Sequence, residues 1–277
     1  MQKREEYPAG VPCFVDSGRK DPQPAIDFYG GLFGWEFENL SPEGAPSYFA
    51  ARLNGLTVAA VGHQPDMDWS PVWNTYVRVE DAEASAAKVA EAGGKMTMDP
   101  FEVGPAGRMA AFDDPEGASL CLWEPGTTRG AELVNDVGAW VFSTLHTADA
   151  DAAAAFYDSV FGWRFGPAGE NGSAMIMKAG YMDFLAQKDP ELPARLEQFG
   201  APEGFGDVVA SLIPLGDGRP RWDVTFSVED ADRSVARVAE LGGEVVIEPF
   251  DAPWVRAAVV RDPDGVEFDV SQFIPPS

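Results

Sequence analysis

Few residues in this chain are suited to acid–base, nucleophilic or metal chemistry, and its two histidines are the first to consider. His146 lies near the end of the predicted strand AWVFSTLHT, four residues after Phe142, so in extended backbone both side chains point to the same side. It is either a base within a pocket or a strand-end residue in contact with solvent. His63 lies in the turn-rich segment VGHQPDMDWSP, and we assign it no role.

The common motifs of cofactor binding and covalent catalysis are missing from the sequence. Its glycine pairs, such as Gly93-Gly94, form neither a GxGxxG nor a Walker pattern and are predicted to end helices. Serine and cysteine residues lack a convincing His/Asp constellation, which argues against a nucleophilic triad. Two cysteines, Cys13 and Cys121, are too few for a disulfide framework and are predicted to be free and buried.

The charge of the chain argues against two classes of partner. It has 20 Lys+Arg against 45 Asp+Glu, a formal net charge of −25, so it would repel nucleic acid and anionic lipid. The N-terminal MQKREEYPAGVPCFV has charges and prolines where a secretory signal needs an apolar run, and no stretch approaches the ~18 apolar residues of a membrane span. We therefore predict a cytoplasmic protein without nucleic acid or membrane partners.

An internal duplication organises the whole chain. FYGGLFGWEF at Phe28 returns as FYDSVFGWRF at Phe156, and VEDAEASAAKVAEAGG at Val79 returns as VEDADRSVARVAELGG at Val228. A DPEG turn likewise returns as DPDG. Repeats in one order imply two copies of one domain, and the 277 residues are enough for two cores. The motifs are farther apart in the second copy, which predicts an insertion around 188–220.

Each copy divides again into two halves that read as strand, helix and three strands. In the second half, Asp81 is predicted as the N-cap of the helix. In the first half, Asp21 is predicted as the N-cap, Pro22 as the first helical residue and Gly34 as the stop. The apolar residues between them recur at steps of three and four, which is typical of a helix with one buried face. The chain is thus predicted to be an α+β protein of four βαβββ modules. A single module cannot bury both faces of its sheet, so paired modules should form curved sheets around a cavity.

These motifs together resemble the glyoxalase, bleomycin-resistance and ring-cleaving dioxygenase superfamily, also called vicinal oxygen chelate proteins, in its tandem two-domain actinobacterial form. The resemblance is carried by the segments 28–35 and 156–163, by WNTY at 73–76 and by the two Asp-Pro-acid-Gly turns. It implies two glyoxalase-like domains, which we predict over 8–126 and 136–274.

Enzymes of this superfamily hold a divalent metal with a His on a module's first strand and a Glu on its last strand. By this resemblance, the matching positions of the first copy are Phe14, Val58, Asn74 and Cys121. Such side chains cannot hold a catalytic divalent ion tightly. In the second copy the positions are Phe142, Asp183, Asp223 and Asp269. We predict no cofactor, with a divalent cation held by the three aspartates as the alternative.

The three aspartates leave several interpretations open. If they converge in a dry cavity, they need a hard cation or at least one must be protonated, and two carboxylates sharing a proton would be a candidate acid/base. Alternatively the strand phase is shifted by one residue and at least one of them is solvated. The candidate catalytic residues are Asp223, Asp269 and His146.

Strand alternation selects the residues that should line the two cavities. The candidates for ligand binding are Phe14, Asp16, Asn74, Tyr76, Cys121, Trp123, Phe142, Thr144, Asp183 and Thr225. Aromatic walls with few polar groups suit a mid-sized organic molecule, planar or cationic, and the insertion is either a lid or a surface loop. We predict metal-independent binding or sequestration of a small molecule, of the resistance or detoxification type, by a monomer or homodimer. The alternatives are a lyase, isomerase or natural-product enzyme, and a scaffold without a ligand.

Overall fold

Two eight-stranded mixed sheets carry the fold in the computed structural model, which describes residues 3–65, 70–169, 171–216 and 218–275. Their strand orders are β2-β3-β4-β1-β5-β8-β7-β6 and β10-β11-β12-β9-β13-β16-β15-β14. In both sheets, four strands of one module lie beside four of the next, as the duplicated sequence predicts. The prediction of an α+β fold built from four βαβββ modules is confirmed.

The first sheet contains the first two modules. Its elements are β1 (Pro12–Arg19), α1 (Gln23–Phe33), β2 (Glu36–Asn39), β3 (Tyr48–Leu53), β4 (Leu56–His63), β5 (Trp73–Arg78), α2 (Ala82–Glu91), β6 (Lys95–Glu102), β7 (Gly107–Asp113) and β8 (Ser119–Pro125). Strands β1 and β5 pair antiparallel at the centre, and each pairs parallel with the last strand of its own module. The first strands of the two modules therefore lie side by side in the middle of the sheet.

The second sheet repeats this arrangement. Its elements are β9 (Trp140–Thr147), α3 (Ala150–Phe161), β10 (Trp163–Phe165), β11 (Ala174–Lys178), α4 (Tyr181–Lys188), α5 (Leu192–Gln198), β12 (Val208–Pro214), β13 (Arg221–Ser227), α6 (Ala231–Glu240), β14 (Glu244–Ala252), β15 (Val255–Arg261) and β16 (Glu267–Phe273). Here β9 and β13 form the antiparallel centre, with β12 and β16 parallel at their flanks.

Helix ends follow the capping residues closely, with one difference. The side chain of Asp81 accepts a hydrogen bond from the Ala84 amide and caps α2, as predicted. Gly34 ends α1 in the left-handed conformation, also as predicted. At the start of α1, however, Pro22 and not Asp21 occupies the N-cap position. The Asp21 carboxylate instead accepts from the Gln23 amide within the preceding turn, so that prediction was one residue early.

The insertion begins earlier than predicted. In the first sheet a two-residue turn joins β3 to β4, whereas in the second sheet α4, α5 and a short 3-10 helix at Phe205–Asp207 lie between β11 and β12. The predicted range of 188–220 starts after most of α4 and wrongly includes β12 at Val208–Pro214. The error arises because a repeat offset shows how many residues are added, but not where they enter.

The two sheets pack against each other through the faces that carry the helices. Thr75 Oγ1 of the first sheet lies 2.7 Å from Ser143 Oγ of the second. Each hydrophobic cluster contains residues of both sheets, so the two cores are shared. Within the described residues, no helix is long and apolar enough to cross a membrane.

Candidate functional site

A buried carboxylate lies at the centre of the first cup, our name for the face of the first sheet that carries Phe14, Asp16, Asn74, Tyr76, Cys121 and Trp123. Asp16 on β1 accepts hydrogen bonds from Asn74 Nδ2 at 3.0 Å and from the Tyr76 hydroxyl at 2.9 Å. The antiparallel register places Asp16 opposite Asn74 and Phe14 opposite Tyr76, which explains why these side chains share one face. Burial raises the pKa of Asp16, although its three hydrogen bonds act in the opposite direction.

Aromatic rings surround this carboxylate. The Tyr48 hydroxyl of β3 also donates to Asp16, at 2.9 Å, a contact that the sequence did not suggest because it depends on how β3 aligns with β4. The Tyr76 ring lies 6.2 Å from that of Phe14 and 6.3 Å from that of Trp123. Cys121 lies opposite Tyr76 in the register, and burial raises the pKa of its thiol, so it is not a reactive nucleophile.

Charged groups dominate the second cup, the face of the second sheet that carries Phe142, Thr144, His146, Asp223, Thr225 and Asp269. His146 Nε2 lies 2.9 Å from Asp223 Oδ2, so the histidine reaches the polar floor. Arg221 Nε approaches both oxygens of Asp223, at 3.0 and 2.9 Å. Sequence reasoning missed Arg221, although it lies two residues before Asp223 and alternation places both on one face.

Asp269 on β16 is held much more loosely than Asp223. Its carboxylate accepts one long hydrogen bond, 3.3 Å from Thr225 Oγ1. Burial, and next the charge of Asp223, raise the pKa of Asp269 to about 7. The cup thus combines an ion-paired carboxylate with a second one that exchanges its proton near neutral pH.

Apolar side chains form the walls of the second cup. Ile247 lies opposite Val259, which is itself opposite Asp269, so both wall residues share its face. Phe250 lies opposite Ala257 on the same face, and Ile247 and Phe250 are both exposed. On the other flank, exposed Met175 lies opposite Ser211, whose hydroxyl is 2.7 Å from Thr144 Oγ1. A polar floor between apolar walls is suited to an organic ligand.

Asp183 does not belong to this site, which corrects a prediction. It lies exposed in the first turn of α4, within the insertion, and not on a last strand. The register places Ser211 opposite Thr144 in the same way that Asp269 lies opposite Thr225, so Ser211 occupies the position expected for Asp183. In the first sheet Ala60, two residues from Val58, occupies the matching position opposite Asp16.

The donor sets of the two cups do not fit a tightly held divalent cation. The matching positions contain Phe14, Ala60, Asn74 and Cys121 in the first cup and Phe142, Ser211, Asp223 and Asp269 in the second. Both oxygens of Asp223 already contact Arg221, and Asp269 is partly protonated at neutral pH. Across the described ranges, no three His, Cys, Asp or Glu residues are grouped to hold a metal ion.

The chain belongs to the glyoxalase/bleomycin resistance protein/dioxygenase superfamily. Residues 15–122 match the family of that description, and residues 140–271 match a glyoxalase-like domain. The resemblance noted in the sequence is thereby confirmed, with one match in each half of the chain.

Relatives extend over nearly the full chain. The protein named "Putative glyoxylase CFP32" of Mycobacterium tuberculosis is 37% identical over 99% of both chains. The "Anthracycline biosynthesis protein DauV" of a Streptomyces species is 34% identical over 96% of this chain and 94% of its own. Among solved structures, the Mn(II)-bound glyoxalase of Novosphingobium aromaticivorans has a TM-score of 0.59 at 15% identity and covers 95% of this chain and 82% of its own. That last likeness establishes the fold alone.

Proposed function

We propose that the second cup binds a small organic molecule without the help of a metal ion, in a role of the resistance or detoxification type. The observation that carries this proposal is the polar floor of Asp223, Asp269 and His146 between exposed apolar walls. Such walls gain free energy by desolvation of an apolar ligand, while the floor fixes its orientation.

Metal independence is supported by the chemistry of the floor. Asp223 is engaged by a guanidinium, which would have to be displaced before a cation could bind. A carboxyl with a pKa near 7 would also have to lose its proton. The two aspartates therefore serve a ligand better as hydrogen-bond acceptor and donor than as a metal cage.

The ligand class that we propose is a planar aromatic natural product or intermediate. One relative is named for anthracycline biosynthesis, and the walls of Phe250, Ile247 and Met175 are suited to a flat ring system. The hydroxyl pair of Thr144 and Ser211 adds neutral hydrogen-bond partners beside the charged floor.

Quinizarin, a dihydroxyanthraquinone, is a suitable probe because its fluorescence reports binding directly. After exhaustive dialysis against EDTA, the protein is expected to bind quinizarin with unchanged affinity. Phe250→Asp should weaken binding at least about tenfold by placing a charge against the ring. The matched control is Phe101→Asp, because Phe101 lies opposite Met109 in the first sheet as Phe250 lies opposite Ala257 in the second. Loss of binding on chelation, or an effect of Phe101→Asp alone, would refute the proposal.

A second candidate function is acid–base catalysis of the lyase or isomerase type, favoured by the pKa of Asp269. A carboxyl with a pKa of about 7 is matched to proton transfer at neutral pH, and His146 lies within hydrogen-bond distance of Asp223 in the same cup. Turnover of the methylglyoxal–glutathione hemithioacetal by EDTA-treated protein, abolished in Asp269→Asn, would establish this candidate. Quinizarin binding without any such turnover would leave the binding function.

A further inference from the structure

The carboxylate of Asp16 in the first cup has only neutral hydrogen-bond partners. It accepts from Asn74 through one oxygen and from the hydroxyls of Tyr48 and Tyr76 through the other. All three groups donate and so favour the ionised form of Asp16, against the burial that raises its pKa. Only 7% of the residue is exposed to solvent, so the charge of an ionised Asp16 lies in a largely dry place.

A counter-ion for this charge is missing from the described part of the chain. There, Asp16 forms no ion pair with a lysine, arginine or histidine. Arg78 lies two residues beyond Tyr76 on β5, but its guanidinium pairs with Glu80. In the second cup, by contrast, Asp223 is neutralised by Arg221. A buried carboxylate without a protein counter-ion is neutralised either by a proton or by a cation from outside the chain.

The surroundings of Asp16 favour an organic cation over a simple metal ion. The rings of Phe14, Tyr76 and Trp123 lie on the same face, and a ring face attracts an ammonium group through its quadrupole. A hard metal ion needs several oxygen ligands, and the described residues contain no group of three His, Cys, Asp or Glu side chains that could hold one.

The two copies of the domain differ at this point. The repeat offset and the strand registers place Thr144 where the first copy has Asp16, and Thr225 where it has Tyr76. At these two positions the second cup therefore has neither a carboxylate like Asp16 nor a tyrosine that donates to it. The duplicated cups have diverged in charge, which is expected if they bind different molecules.

We propose that the first cup binds an organic cation, namely an ammonium group attached to an aromatic or other apolar body, with Asp16 as its counter-ion. The site is distinct from the one in the second cup and does not depend on the function proposed there. The ammonium group replaces the missing protein cation, and the apolar body contacts Phe14 and the exposed side chains of Met98 and Phe101.

Phenethylammonium and its neutral counterpart phenylethyl alcohol test the proposal by calorimetric titration. The wild-type protein is expected to bind the cation more tightly than the alcohol. Asp16→Asn should weaken cation binding by about tenfold, since a hydrogen bond to a charged group is lost, and should leave alcohol binding unchanged. Asp183→Asn, the matched removal of an exposed carboxylate on α4 outside both cups, should change neither.

Nuclear magnetic resonance on the wild-type protein keeps the test independent of how well the variant folds. The resonances of the Trp123 indole N–H and of the Asn74 side-chain amide are expected to shift on addition of phenethylammonium in 0.3 M salt. At this concentration the Debye length is below about 10 Å, so nonspecific attraction to the net negative charge of the protein is screened. Equal affinity for cation and alcohol, an effect of Asp183→Asn instead of Asp16→Asn, or unchanged Trp123 and Asn74 signals would overturn the proposal.

Discussion

Three buried or half-buried aspartates on the cup faces differ in what surrounds each carboxylate. Asp16 is held by neutral donors, Asp223 by Arg221 and His146, and Asp269 by a single hydroxyl. The sequence presents all three as one residue type on alternating strands. Their partners leave Asp16 without an ion pair among the described residues and pair Asp223 with a guanidinium. Burial raises the pKa of Asp269 to about 7.

The raised pKa of Asp269 predicts how stability depends on pH. The folded protein retains a proton on Asp269 that the unfolded chain releases above its ordinary pKa of 3.8. The contribution of Asp269 to the free energy of unfolding is therefore fully present below about pH 4 and is lost as the pH rises to about 7. Asp269→Asn removes this loss. We expect the variant to gain up to about 4 kcal/mol in free energy of unfolding relative to wild type at pH 8, and little at pH 4.

Urea unfolding at the two pH values measures this difference. Asp183→Asn is the matched control, because Asp183 is exposed on α4 and the same change there should alter stability little at either pH. If Asp269→Asn were equally stabilising at pH 4 and pH 8, the raised pKa would be wrong.

At the scale of elements, the insertion connects distant parts of the second sheet. It leaves the sheet after β11, and beyond α5 the Phe199 ring lies 6.5 Å from that of Phe273, at the end of β16. A methyl group added to Gly200 would lie 3.8 Å from the Trp254 ring in the β14–β15 turn. No residue of α4 or α5 is fully buried, although Tyr181 packs against one hydrophobic cluster, so we expect this segment to open at a lower free energy than the core.

Removing the Phe199 contact should therefore affect ligand exchange more than stability. Phe199→Ala is expected to lower the free energy of unfolding by at most about 1.5 kcal/mol, the upper range for one aromatic pair. The dissociation rate of quinizarin, measured by stopped-flow fluorescence, should rise severalfold because the segment opens more often. Leu40→Ala, which truncates an equally exposed side chain remote from the second sheet, is the control. An unchanged dissociation rate would show that the insertion does not cover the cup.

At the scale of the whole molecule, the doubled decapeptide joins the two halves of the chain. The Tyr29 hydroxyl of the first copy donates to Asp262 in the second at 2.9 Å, and that of Tyr157 in the second copy donates to Asp114 in the first at 2.8 Å. These aspartates begin the two Asp-Pro-acid-Gly turns. The decapeptide of each copy thus contacts the Asp-Pro-acid-Gly turn of the other copy, as expected for a duplicated domain packed on itself.

Arg19 strengthens one of these two connections. Its Nη2 lies 2.7 Å from Asp262 Oδ2, with both side chains almost fully buried. Arg19→Met leaves the Asp262 charge buried without a cation and should lower the free energy of unfolding by about 3–5 kcal/mol. At the equivalent place in the second copy, Thr147 donates to Glu116, and Thr147→Val should cost only about 1 kcal/mol. Urea unfolding of the two variants compares them, and equal losses would contradict the role of the buried ion pair.

The accuracy of the sequence predictions depended mainly on how far apart in the chain the interacting residues lie. The prediction of the cap at Asp81 was confirmed because a cap depends on residues three apart, and the module order was confirmed because it is written twice in the chain. Asp183 was misplaced because nothing local marks where an insertion enters. Tyr48 was missed because its contact with Asp16 depends on how β3 aligns with β4. Arg221 is an exception, because it lies two residues before Asp223 and strand alternation was enough to place both on one face.

The sequence by itself determined the family, the duplicated modules and the alternation that brings Asp16, Tyr76, Asp223 and Asp269 to the faces of their sheets. These follow from repeated motifs and from the two-residue period of a strand, both of which are local. Only the tertiary structure decided how deeply each carboxylate is buried and which side chains of other strands reach it. Both are set by residues far apart in the chain, and they raise the pKa of Asp269 while Asp223 stays ion-paired.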